Sequence, residues 1–110
     1  MTIRKLLPLL FLACLFVYLP IILNPSLFLN RGNDLEEFFY PVFYYTVENF
    51  FQNKSLPLWN NMFFSGTPLL PNPQSFLFYP PNIIFYLLPI NLAFIFSAIM
   101  HTFAGSIGTY

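Results

Sequence analysis

The sequence is poor in charged residues, which make up 7% of its 110 residues, whereas hydrophobic residues make up 57%. An ordinary soluble domain has about a quarter charged residues. So little polar surface cannot cover so many apolar side chains in water, and the composition therefore predicts contact with lipid. The lipid bilayer is the first expected partner.

Basic clusters and paired cysteines are also missing. The four basic residues are far too scattered to neutralise several phosphates, so nucleic acid is not an expected partner. The one cysteine, Cys14, lies in an apolar run without Cys or His neighbours at metal-ligand spacing, and we interpret it as a packing residue. The sequence has no Walker loop and no Gly-x-Ser-x-Gly elbow, which argues against a nucleotide-driven enzyme or a hydrolase of that type.

The first apolar run, residues 6–23, contains no charged residue. As a helix it is about 27 Å long, close to the hydrocarbon thickness of a bilayer. A signal peptide is the alternative, but its apolar core is shorter and is followed by small residues at the cleavage site, which are missing here. We therefore predict an uncleaved transmembrane helix at 6–23, with residues 1–5 in the cytoplasm because Arg4 and Lys5 precede the helix.

A second transmembrane helix is predicted at 91–110, which is about 30 Å long as a helix. Its small residues allow another helix to approach closely; they are Ser97, Ala98, Ala104, Gly105, Ser106 and Gly108. No basic residue follows this helix, although a return to the cytoplasm is normally followed by some. We therefore expect an N-terminal part of a longer protein, whose remaining transmembrane helices are further partners.

Residues 24–90 are predicted to form a long extracytoplasmic loop. Apolar residues repeat at helical spacing over about 34–53, which is typical of an amphipathic helix at the membrane interface, and Pro41 is expected to divide it. A second interfacial helix is predicted at about 82–88, after the turn at Pro80 and Pro81. The predicted fold class is an all-α integral membrane protein with two transmembrane helices joined by this loop.

Asp34, at the start of the predicted amphipathic helix, is the first candidate for chemistry. As a structural residue it would be the helix N-cap, with Glu37 completing a capping box three residues later. As a functional residue its carboxylate would accept a proton from a hydroxyl group, or bind a divalent metal ion together with Glu37. The spacing leaves both roles open.

Aromatic and amide side chains in the Pro-rich part of the loop form a second candidate set. Trp59, Asn60, Gln74 and Tyr79 offer stacking surface and hydrogen bonds that suit a sugar, although the same groups would also satisfy an irregular loop at the membrane surface. His101 lies midway along the second predicted span, where ionisable groups are often functional. Its alternative role is a neutral imidazole bonded to a neighbouring helix.

The order of several motifs resembles the N-terminal part of the YfhO-like family of bacterial membrane proteins, which is related to the GT-C glycosyltransferases. The motifs are Asn33-Asp34, Tyr40-Pro41, Leu56-Pro-Leu-Trp-Asn, Gly66-Thr-Pro-Leu and Phe78-Tyr-Pro-Pro. The resemblance implies a GT-C-like multi-span fold in the plasma (inner) membrane that transfers a sugar from a polyprenyl-phosphate-linked donor on the outer face. It also implies that Asp34 is an acidic active-site residue.

On this interpretation Trp59, Asn60 and Gln74 shape the sugar or lipid-phosphate pocket, while Tyr79 and His101 are further substrate-binding candidates. A divalent metal ion is a candidate cofactor. The alternative is a non-enzymatic polytopic membrane protein, either a transporter or an assembly subunit, whose outer loop is a packing and interaction surface.

Overall fold

The computed structural model describes residues 3–29, 32–75 and 77–109, with the side chains of residues 5–28, 32–75 and 77–109. The side chain of Arg4, on which the predicted orientation partly depends, lies outside the described residues. So does Tyr110, the last residue of the second predicted span.

The described chain is mainly helical. In chain order the helices are α1 (Ile3–Leu23), α2 (Ser26–Leu29), α3 (Tyr40–Asn53), α4 (Ile84–Leu87) and α5 (Ile90–Gly108), and the strands are β1 (Trp59–Asn60) and β2 (Thr67–Pro68). A π-helical turn at Leu35–Phe39 leads into α3, and 3-10 turns cover Pro73–Ser75 and Pro80–Ile83. The predicted helical architecture is confirmed, whereas the short hairpin formed by β1 and β2 was not predicted.

Two of these helices are long and apolar enough to cross a membrane. The qualifying segments are Lys5–Leu23, with a mean hydropathy of 2.7, and Ile90–Gly108, with a mean hydropathy of 1.6. Both coincide closely with the predicted spans at 6–23 and 91–110. Their lengths follow from the long uncharged runs that the sequence provides at each end.

α1 and α5 pack against each other in antiparallel directions. Phe11, near the start of α1, contacts Phe103, near the end of α5, with ring centroids 5.4 Å apart. Further along α1, Cys14 is buried in a cluster with Ile95 and Ile99, as expected for a packing residue. The loop between the helices therefore starts and finishes at the same end of the pair.

α3 packs across α4 and the first half of α5 through aromatic side chains. The ring of Phe43 lies 4.2 Å from that of Phe85 and 5.6 Å from that of Phe94, measured between centroids. Ala93 at this contact is fully buried, since its small side chain allows the rings to come close. Part of the apolar face predicted for the membrane interface is therefore covered by the chain's own helices.

The outward faces of α1 remain apolar and exposed. Phe16 and Leu23 each expose 77% of their surface, and Val17 exposes 68%. A continuous apolar surface of this kind is unstable in water and marks contact with lipid or with other apolar protein surfaces. The fold thus places the aromatic-rich loop at one end of α1 and α5, two helices whose exposed apolar faces are suited to an apolar environment.

Candidate functional site

The helical segment that contains Asp34 is capped by its neighbours. Oδ1 of Asn33 accepts hydrogen bonds from the backbone N–H groups of Leu35, at 3.1 Å, and Glu36, at 3.2 Å. Oε2 of Glu36 in turn accepts a hydrogen bond of 2.9 Å from the backbone N–H of Gly32. This reciprocal arrangement resembles a capping box placed one residue earlier than predicted.

The predicted structural role of Asp34 and Glu37 as a capping box is therefore wrong. Asp34 already has helical backbone angles, φ −53° and ψ −27°, and its side chain makes no capping hydrogen bond. An N-cap residue has an extended backbone, and its side chain accepts a hydrogen bond from a backbone N–H of the first helical turn. A residue whose own backbone is already helical does not have this geometry. The exposed carboxylate of Asp34 is consequently left for another role.

A metal site at Asp34 and Glu37 stays a prediction. Among the described residues, no group of three or more His, Cys, Asp or Glu side chains is placed to hold a metal ion. Mg²⁺ is commonly bound by only one or two carboxylates together with substrate phosphates and water, so two acidic residues are sufficient in number.

The hairpin joins two of the motifs singled out in the sequence. Trp59 pairs with Pro68 and Asn60 with Thr67 in antiparallel register, which brings Leu-Pro-Leu-Trp-Asn beside Gly-Thr-Pro-Leu. Tyr45 of α3 donates a hydrogen bond of 3.1 Å to the carbonyl of Trp59 and so fixes the hairpin to the helix. These motifs therefore have a clear structural function, which periodicity alone did not reveal.

Asn60 and Gln74 lie in the wall of one small cavity of about 100 Å³ beneath this hairpin. Asn60 is 1% exposed, and its Oδ1 accepts a hydrogen bond of 2.8 Å from the backbone N–H of Met62. Ligand pockets usually measure about 300–1,000 Å³, so this cavity is small for a sugar. Trp59, the third predicted member of the set, does not belong to the cavity wall and exposes 49% of its surface.

A larger pocket of about 370 Å³ lies between the loop and α5. Its wall is mostly aromatic and aliphatic, and its polar members are few; the lining residues are Phe28, Leu35, Phe39, Phe43, Tyr79, Asn82, Phe85, Phe94, Ser97, Ala98 and His101. An apolar pocket of this size with a few convergent polar groups is typical of a small-molecule site. We refer to it below as the Tyr79–His101 pocket.

Two predicted residues meet in this pocket. Oη of Tyr79 lies 2.7 Å from Nε2 of His101, and Nδ1 of His101 lies 2.7 Å from the backbone carbonyl oxygen of Ser97. In the described part of the chain, His101 thus contacts Tyr79 of the loop and two oxygen atoms of Ser97 within α5, the carbonyl oxygen and Oγ, which lies 3.3 Å from Nδ1. Asn82 and Ser97 were not predicted, although Ser97 stands one helical turn before His101 in the sequence.

Asp34 is adjacent to the same pocket in the chain, because the next residue, Leu35, contributes to the pocket wall. On the other side of the Tyr79–Asn82 segment lies a second groove, of about 510 Å³, lined largely by apolar residues of the loop segment 77–83, α3 and α4. Burial in this groove raises the pKa of the Tyr86 hydroxyl above its ordinary value. The predicted residues thus fall into separate groups at Asp34, at Asn60 with Gln74, and at Tyr79 with His101.

No protein-family model matches this sequence, and the comparisons with curated proteins and with solved structures find no match either. The resemblance to the YfhO-like family therefore stays a prediction that rests on the quoted motifs.

Proposed function

We propose that this chain is the N-terminal part of a polytopic membrane glycosyltransferase of GT-C type, which transfers a sugar from a polyprenyl-phosphate-linked donor on the outer face of the plasma (inner) membrane. α1 and α5 cross the bilayer, the N-terminus is cytoplasmic, and residues 24–90 lie outside the cytoplasm. The exposed apolar faces of both helices contact lipid and the remaining transmembrane helices of the protein.

The observation that carries this proposal is the Tyr79–His101 pocket and its relation to Asp34. The pocket is apolar enough for a hydrocarbon chain, contains a polar pair on one side, and includes the residue next to the exposed carboxylate of Asp34. A lipid-linked sugar has the same sequence of parts, since a hydrocarbon chain is joined through phosphate to a polar sugar. The apolar wall and the polar pair of the pocket therefore correspond to two kinds of group that the donor contains, which supports the proposal.

In the proposed reaction, Asp34 is the general base. Its carboxylate takes the proton of the acceptor hydroxyl as that oxygen forms a bond to C1 of the donor sugar, and the bond from C1 to the polyprenyl phosphate breaks. The phosphate departs with the bonding electron pair. As the alternative to its role as base, Asp34 would hold a divalent metal ion together with Glu37, and that ion would neutralise charge on the phosphate.

The cavity beneath the hairpin has a supporting role in this proposal. Gln74 is exposed, so its amide is available to a sugar hydroxyl at the mouth of the cavity, whereas Asn60 holds the turn that shapes the cavity. The exposed ring of Trp59 offers a stacking face for the sugar beside the same hairpin. Sugar recognition would thus lie in the hairpin and lipid recognition along α5.

The test compares two carboxylates in cells whose protein carries either Asp34→Asn or Glu48→Gln. Removing a general base typically slows a reaction by about 10²–10⁴-fold, so Asp34→Asn should stop transfer and cause the lipid-linked donor to accumulate. Glu48 lies on the exposed face of α3, where it accepts a hydrogen bond from Gln52, and its substitution should leave transfer unchanged. Normal transfer by Asp34→Asn would rule out the assigned role.

A non-enzymatic assembly subunit is the second candidate, and the open surface of α5 favours it. A side chain added at Gly105 or Gly108 would meet no atom within 4 Å among the described residues, so another helix has room to approach there. In that case Gly105→Leu should abolish association with a partner protein, while Asp34→Asn should have no effect on it. Co-purification of partners with each variant distinguishes the two candidates.

A further inference from the structure

The proton positions of the Tyr79–His101 pair follow from its geometry. The carbonyl oxygen of Ser97 can only accept, so the nitrogen 2.7 Å from it, Nδ1 of His101, carries a proton. In a neutral imidazole the other nitrogen, Nε2, then has a lone pair, and Tyr79 must donate its hydroxyl proton to it over 2.7 Å. Both protons of the pair are therefore engaged in hydrogen bonds within the chain.

While the pair is neutral, neither of its two protons is available to an incoming anion. The hydroxyl oxygen of Tyr79 keeps its lone pairs, which accept hydrogen bonds and do not donate them. If Nε2 takes up a proton, the imidazolium donates from both nitrogens, and the hydroxyl proton of Tyr79 is released to bond a ligand. One proton thus converts the pair from an acceptor into a positively charged donor.

No other group supplies positive charge to this pocket. Among the described residues, neither a carboxylate nor a basic side chain other than His101 lines it. The titratable groups on the surrounding elements belong to α1, the π-helical turn, α3 and α4; they are Lys5, Cys14, Tyr18, Asp34, Glu36, Glu37, Tyr40, Tyr44, Tyr45, Glu48 and Tyr86. The hydroxyl of Tyr18 is 2.8 Å from Oγ1 of Thr102. The charge of the pocket therefore depends on His101.

We infer that the Tyr79–His101 pair binds the oxyanion head group of an amphiphile and takes up one proton as it does so. The aromatic and aliphatic wall holds the hydrocarbon chain, while the protonated pair donates to the head group. This inference rests on the proposed function in one respect, which is that the proposed sugar donor is an anionic lipid. It adds that this head group is recognised by a proton-dependent pair, with no Lys or Arg among the described residues that line the pocket.

The consequence is a defined dependence of binding on pH. Because the bound state holds one more proton than the free state, affinity for an anion rises as pH falls, by up to about tenfold per pH unit. The probe must keep a constant charge over this range. A phosphodiester lipid, phosphatidylglycerol, meets this requirement, and zwitterionic phosphatidylcholine is the matched lipid control.

The experiment measures binding of spin-labelled phosphatidylglycerol to the chain in phosphatidylcholine nanodiscs at about pH 6 and at about pH 8. We expect binding at least about tenfold tighter at the lower pH. The chain contains one histidine, so its imidazole ¹⁵N signals report proton uptake directly when the lipid is added at constant pH.

Two variants and one control separate the contributions. His101→Gln should bind phosphatidylglycerol weakly and with equal affinity at both pH values. Tyr79→Phe should bind this lipid more weakly, but its imidazole should still take up a proton when no lipid is present. Tyr44→Phe removes the hydroxyl of an exposed tyrosine on α3 outside the pocket and should behave as the unmodified chain. Circular dichroism of each variant verifies that the helices remain.

Equal affinity of the unmodified chain at the two pH values would overturn the inference, as would pH-dependent binding that survives in His101→Gln. A signal from phosphatidylcholine as strong as that from phosphatidylglycerol would do the same. No sugar is transferred in this assay, so it tests the binding inference alone. The transferase proposal is tested separately by Asp34→Asn, and either one can fail while the other holds.

Discussion

The indole ring of Trp59 lies directly over Gly66. A β-carbon built on Gly66 would come within 2.5 Å of Nε1 and 3.0 Å of Cε2 of that ring, and the backbone φ of Gly66 is +112°. The two residues belong to different motifs of the sequence, which the hairpin brings together through the pairing of Trp59 with Pro68. Glycine is thus required at residue 66 both for its backbone conformation and for the ring that covers it.

Gly66→Ala should destabilise the chain. The added methyl group has to displace the Trp59 ring and also adopts a left-handed backbone conformation, for which we expect a loss of about 1–3 kcal/mol in the free energy of unfolding. Gly105→Ala is the matched control, because residue 105 is helical and a β-carbon there meets no described atom. That control should be neutral or stabilise by about 0.5–1 kcal/mol. Thermal unfolding in detergent measures both, and equal effects would contradict the close contact.

The capping arrangement predicts different effects for neighbouring residues. Asn33→Ala removes the acceptor of two backbone N–H groups and should lower stability by about 0.5–2 kcal/mol. Asp34→Ala, whose side chain makes no capping bond, should have little effect on stability. Denaturant titration followed by circular dichroism compares the variants. A larger loss for Asp34→Ala than for Asn33→Ala would restore the arrangement expected from the sequence.

The aromatic contact between α3 and the two helices beneath it should dominate the stability of the loop. Phe43→Ala removes a buried ring that contacts both Phe85 and Phe94, and we expect a loss of about 3–5 kcal/mol. Tyr44→Ala, next in the chain but 49% exposed, should cause a much smaller loss. Hydrogen exchange of α3 amides tests this. Unchanged protection in Phe43→Ala would show that α3 is held elsewhere.

The proposed orientation in the membrane can be tested by labelling a single introduced cysteine. In a Cys14→Ala background, Asp34→Cys should react with a membrane-impermeant thiol reagent added to intact cells, because residue 34 is exposed and lies in the loop proposed to be extracytoplasmic. Lys5→Cys is the control and should react only after lysis. If residue 34 is protected in intact cells and reactive after lysis, the loop faces the cytoplasm and the transferase proposal fails with it.

Local pattern was sufficient for the parts of the fold that depend on nearby residues. The uncharged runs determine both long helices, and helical spacing of apolar residues indicates α3 with Pro41 in its first turn. It was insufficient at the helix start, where Asn33 and Asp34 are equally good N-caps by residue type. Only the backbone, which is already helical at Asp34, decides between them.

The composition and spacing of the sequence by themselves determined that the chain is mainly helical, that two helices are suited to an apolar environment, and that the charged residues lie chiefly between them. Tertiary structure alone decided that Trp59 covers Gly66 and that Tyr79 reaches His101 across 22 residues. The physical reason is range: hydrophobic periodicity acts within a few residues, whereas these contacts depend on how whole elements pack.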